Sequence, residues 1–243
     1  MPWQRSTSCI INLIKIKVIL MRTLTKELQD QLTPAKALEL LTEGNRRFVN
    51  NLKVNRNLLQ QVNETSQGQH PFAIVLSCID SRTSAELIFD QGLGDIFSVR
   101  IAGNIVNEDI LGSMEFACKV AGAKLIVVLG HSNCGAIKGA CDSVELGFLT
   151  GLVNKIKPSV EEIQYDGSKK STNAEFVQLV AERNVHNMID EIQTRSSIIS
   201  EMIENGEIGI AGGMYDVETG EVEFYEHSLQ ASESMNEKSS NKY

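Results

Sequence analysis

The stretch SCIDSR at residues 77–82 sets a thiol, a carboxylate and a guanidinium on alternate positions, Cys78, Asp80 and Arg82, directly behind the apolar run AIVL. Ser, Asp and Arg are poor strand formers, so the chain is leaving a buried strand at this point. In an extended exit the three side chains point to one side. A second polar group, GHSNCGA at 130–136, follows the apolar run LIVVL in the same manner. With the two strands close in one sheet, Cys78, His131 and Cys134 meet at its rim. Two thiolates and an imidazole suit zinc, with bonds of about 2.0–2.3 Å. Three protein ligands leave the fourth tetrahedral position to water, which marks a catalytic ion rather than a structural one. No further Cys or His at matching spacing closes the site.

The frame such loops need is a parallel α/β sheet, where the loops at the carboxyl ends of the strands form the ligand crevice. The runs FAIVLSC at 72–78, DIFSVR at 95–100 and KLIVVLG at 124–130 are short and β-branched and lack clean alternation, as expected of strands covered on both faces. Helical stretches at 84–90 and 109–121 separate them, which implies parallel strands with right-handed crossovers. Thr33 and Pro34 open a helix with a cap residue and a first-turn proline. Its apolar positions Ala37, Leu40, Leu41, Phe48 and Leu52 keep helical spacing. Residues 174–204 read as long helical structure.

IGIAGGMYDVETGEVEFYE, from Ile208, then gives a strand, a Thr-Gly turn and an alternating strand. The expected fold is a mainly parallel α/β sheet flanked by helices, with this antiparallel hairpin at its edge near the C-terminus. Residues 1–33 are expected to form an N-terminal extension, 34–230 a single zinc-binding catalytic domain, and 231–243 a polar tail. GLG at 92–94 and AGG at 211–213 lack the glycine spacing of a nucleotide loop and read as turns.

Composition excludes several classes. A formal charge of −8 disfavours nucleic acid as a partner, because phosphate binding needs a basic face. Five cysteines in 243 residues are odd in number and too sparse for a disulfide framework, which points to reduced thiols in the cytoplasm. CIINLIKIKVILM near the start carries Lys15 and Lys17 inside its apolar run, so it is too short and too charged to span a bilayer. It lacks the uninterrupted apolar stretch and cleavage site of a signal peptide, and Met21 opens a more ordinary amino terminus. His70, His186 and His227 have no ligand partner at informative spacing, and Cys118 reads as core. The absence of a CxxC pair disfavours thiol redox chemistry.

CIDSR, RIAGN at 100–104 and HSNCG, taken together, closely resemble the β-class carbonic anhydrases, over a span from about Pro34 to Glu226. The resemblance implies a zinc enzyme that interconverts carbon dioxide and bicarbonate, with one ion per chain on Cys78, His131 and Cys134. It implies an Asp80–Arg82 dyad, with Asp80 able to close the metal site as a fourth ligand in a resting state. Gln69 in GQHPF would reach the neighbouring subunit's site in a homodimer or tetramer. Phe97 and Phe116 would line the substrate path, the latter where plant-type members often carry tyrosine. A carbon disulfide or carbonyl sulfide hydrolase would keep the same ligands. A non-catalytic zinc-binding regulatory module is disfavoured by the presence of both Asp80 and Arg82.

Overall fold

The computed structural model describes residues 23–225 and residue 229. The expectations for residues 1–22, for His227 and for the tail from 231 lie outside that range. A short helix, α1 (Lys26–Asp30), stands ahead of Pro34. Its Gln29 is fully buried and donates to the carbonyls of Pro71 and Ala121 at 2.7 and 2.8 Å. There follow α2 (Pro34–Val49), α3 (Leu58–Thr65), β1 (Ala73–Ser77), α4 (Ala85–Ile88), β2 (Ile96–Arg100) and a single turn at Ala102–Asn104. Next come α5 (Glu108–Glu115), β3 (Leu125–His131), α6 (Gly135–Cys141), α7 (Gly147–Glu162), α8 (Ala174–Arg195), α9 (Ser197–Glu204), β4 (Gly209–Tyr215) and β5 (Val222–Phe224).

The strands form one sheet in the order β2-β1-β3-β4-β5. β1 to β4 run parallel and β5 closes the edge antiparallel to β4. This is the mainly parallel sheet with an edge hairpin that the sequence implied. Alternation along each strand divides its side chains between two cores. Ile74, Leu76, Ile126 and Val128 face α8 residues such as Val180, Val185 and Ile189. Ala73, Val75, Leu125 and Val127 face Ala37 and Leu41 of α2 and Phe89. Every residue of β1 and β3 is buried, the signature of strands sandwiched between helix layers.

Several expectations are corrected. α2 stops at Val49, and Asn51 takes a left-handed φ of 55°, so Leu52 falls outside the helix and is exposed. The apolar face of α2 packs on its own sheet through Ala37 and Leu41. The helical stretch after Asp109 widens into a π-turn over Phe116–Val120. The stretch at 174–204 is two helices, because Ser196 leaves helical geometry and caps Ile199 N–H with its hydroxyl. AGG at 211–213 is no turn but the middle of β4. A Cβ on Gly212 would meet Ile189 and Val185 of α8 at 2.8 and 2.9 Å, so glycine lets helix and strand approach there.

Candidate active site

Sheet order builds the site. β1 and β3 are neighbours with Ser77 opposite Leu129, so the chains leaving their carboxyl ends run side by side. The ligand atoms of Cys78, His131 and Cys134 all lie within 4.8 Å of one another, and all three residues are buried. Cys134 reaches the group because Asn133 adopts a left-handed φ of 59° and turns the chain back into α6. The exit from β1 is not extended. A turn closes it, with Thr83 N–H on the Asp80 carbonyl at 3.0 Å, and sets Asp80 against Arg82.

The donor set can be tested for fit to a metal. The Cys78 and Cys134 sulfurs are 3.9 Å apart. Two sulfurs each about 2.3 Å from one tetrahedral zinc stand about 3.8 Å from each other. His131 Nδ1 lies 2.9 Å from the Ser132 carbonyl, which fixes the proton there and leaves Nε2 with a bare lone pair. That Nε2 is buried with no hydrogen-bond partner, a costly state for an imidazole unless a cation takes the lone pair.

The thiols point the same way. Two buried thiols in contact shift each other's ionisation in opposite directions. The hydrogen bond from Cys134 pulls the Cys78 thiol well down, helped by the backbone N–H groups of Gly103 and Asp80. The same contact, burial and the adjacent negative charge push Cys134 far up, against the N–H groups of Ile137 and Ala136 at the start of α6. A cation bound by both sulfurs lets both ionise. The residues fit zinc. Cys118 and Cys141, by contrast, are pushed up by burial to about 12 and about 11 and stay protonated.

Asp80 stands with Arg82 rather than among the donors. Arg82 Nε donates to Oδ1 at 2.9 Å and Nη2 to Oδ2 at 2.8 Å, and the Arg82 backbone N–H adds a third bond to Oδ1 at 3.0 Å. The Arg82 side chain, then its N–H, hold the Asp80 carboxyl well below the usual carboxylate range.

Two residues that sequence reasoning left without roles brace this loop. Arg100, at the end of β2, donates to the carbonyls of Cys78 at 3.0 Å and Asp80 at 2.5 Å. The Thr83 hydroxyl lies 2.9 Å from the same two carbonyls. RIAGN carries Arg100, yet nothing in its spacing says that it folds back on CIDSR.

The remaining candidates are not brought to the cluster within one chain. Gln69 is exposed at the amino-terminal end of β1, opposite the end that carries Cys78. A strand of five residues separates them, about 17 Å of extended chain. Phe97 and Phe116 meet edge to face at 6.3 Å and line a groove of about 570 Å³ with Ile74, Ser98 and Asp109. None of the three donors lines that groove.

Comparison with known proteins decides the family. The family model described as carbonic anhydrase matches residues 73–222, which hold all three donors and the Asp80–Arg82 pair. "Carbonic anhydrase 2" of Mycobacterium tuberculosis is 38% identical over 202 residues, 80% of this chain and 94% of that protein. The chain belongs to the β-class carbonic anhydrases. The carbonic anhydrase of Mycolicibacterium smegmatis is 36% identical over 200 residues, with 80% and 94% covered. Among solved β-class enzymes, one of two described as tetrameric, from Sordaria macrospora, superposes with a TM-score of 0.59 at 25% identity, covering 67% of this chain and 84% of that one. Among the described residues, no helix of this carbonic anhydrase is long and apolar enough to cross a membrane.

Proposed function

We propose that the protein reversibly hydrates carbon dioxide to bicarbonate and a proton, using one zinc ion per chain held by Cys78 Sγ, His131 Nε2 and Cys134 Sγ. The observation that carries this reading is the buried, unpartnered Nε2 set beside two sulfurs at zinc spacing. Zinc so held supplies a hydroxide nucleophile near neutral pH, since zinc on three histidines lowers the pKa of its water to about 7 and two thiolates weaken that effect.

The chain's own residues do the rest. Asp80 is catalytic: it is kept ionised and fixed in orientation by Arg82, and its Oδ2, which accepts a single bond, retains a free lone pair to accept a hydrogen bond from the nucleophile. Arg82 holds that carboxylate off the metal, and Arg100 and Thr83 hold the loop on which both sit. Gln69 of a partner subunit donates to a substrate oxygen, and Phe97 and Phe116 supply apolar walls for a small, uncharged substrate.

The assembly is a homodimer or tetramer. Gln69 is stranded at the far end of its own sheet, and Ile79, Leu87, Phe116 and Val120 expose apolar surface. The tetrameric Sordaria macrospora relative supports the larger form. Cys78, Cys118, Cys134 and Cys141 are all free thiols, which supports the cytoplasm as compartment. Stopped-flow carbon dioxide hydration on purified protein, with and without a zinc chelator, tests the whole reading.

A further inference from the structure

We infer that Asn184 is a positioning residue for the metal centre, acting through Gly103 on the Cys78 sulfur; this rests on the metal reading above. Asn184 lies in α8 and is fully buried. An amide so completely removed from water persists where its hydrogen bonds are made. Its Nδ2 donates to the Gly103 carbonyl at 2.9 Å. Its Oδ1 accepts from the Ser159 hydroxyl at 3.5 Å, and Ser159, itself fully buried, accepts from Asn187 Nδ2 at 3.0 Å. One helical turn beyond Asn184, Met188 Sδ accepts the Val106 N–H at 3.2 Å. Positions four apart on a helix share a face, so α8 grips the segment 103–106 at two points.

That grip aims a donor. Gly103 takes φ 69°, and Asn104 after it is also left-handed at 42°. A Cβ on Gly103 would sit 2.6 Å from Ile156 and 3.1 Å from Ala136, so the turn is pressed between α6 and α7. From this seat the Gly103 N–H donates to Cys78 Sγ at 3.4 Å. Asn184 touches neither donor nor substrate; it holds the residue that holds the sulfur. Such a bond draws electron density from a thiolate and fixes its direction toward the metal. Removing outer partners of metal ligands commonly costs about 10–100-fold in affinity.

Two readouts test this on the full chain: the zinc dissociation constant by competition with a chromophoric chelator, and the thiolate-to-metal charge-transfer band after cobalt substitution. Asn184→Ala is expected to weaken zinc by about 10–100-fold. It should also move the band to longer wavelength, because a thiolate short of one N–H donor gives up an electron more readily. A purely structural Asn184 would lower the melting temperature and leave the band of the loaded protein unmoved. Unchanged affinity and an unmoved band in folded Asn184→Ala overturn the inference. Should that variant not fold, Ser159→Ala, which frees the amide's Oδ1, is held to the same readouts: smaller shifts in the same directions support the role, and none overturns it. Wild-type protein that takes up neither metal overturns the metal reading along with this one. Wild-type protein that binds both, beside an unmoved variant, overturns only the role of Asn184.

Discussion

Cys78 and Cys134 are separated by 56 positions in the chain, yet their sulfurs stand 3.9 Å apart at the rim of the sheet. The adjacency of β1 and β3 is what closes that distance, and the buried lone pair of His131 completes a set of donors for one soft cation.

Replacing Cys134 by Ser substitutes a hard, weakly acidic hydroxyl for a thiolate and should cost most of the bound metal. Elemental analysis of the purified variant measures it. Unchanged zinc stoichiometry would remove Cys134 from the ligand set.

Asp80→Asn keeps the shape of the side chain and loses the acceptor that Arg82 orients. Zinc content should survive while hydration falls about tenfold or more, as for loss of a positioned proton acceptor. Full activity in this variant would exclude the dyad from the mechanism.

Gln69 offers a test by complementation. Gln69→Ala and Cys134→Ser should each be impaired alone. In a mixed assembly, the Gln69→Ala subunit contributes an intact metal site and its partner an intact Gln69. Activity regained on mixing and reassembly is expected. No regain, with assembly verified, would show that Gln69 does not act across the interface.

The pH dependence follows from Arg82. Because Arg82 lowers the Asp80 carboxyl, their pairing contributes stability that is complete above the ordinary carboxylate value of about 3.9 and is lost as pH falls through the lower folded value. Asp80 therefore stays ionised throughout the working range and cannot shape a profile near neutrality. Hydration should rise with pH between about 6 and 9 with the nucleophile's own titration. A flat profile there would contradict a titrating nucleophile.

The donors and the dyad were legible because polar residues at the ends of apolar strands break the local pattern. Their supports were not. Gly103 reaches Cys78 across 25 positions and Asn184 reaches Gly103 across 81, and contacts of that kind leave no period in the sequence. AGG was misread as a turn because glycine's local preference is for turns, whereas its use in β4 is to admit α8, a packing fact visible only in three dimensions. α7 escaped notice because Gly147, Gly151 and Pro158 are poor helix formers, yet it packs Val153 and Ile156 into the core. Gln69 and Phe116 matched a resemblance, and within one chain neither is brought to the three donors.

The most direct test joins metal content to turnover on one preparation: zinc per chain by elemental analysis and carbon dioxide hydration by stopped flow, before chelation, after it, and after zinc is returned. One zinc per chain, hydration lost on chelation and regained with zinc, is the expected result. Full hydration by metal-free protein, or zinc-loaded, folded protein that hydrates no carbon dioxide, would contradict it.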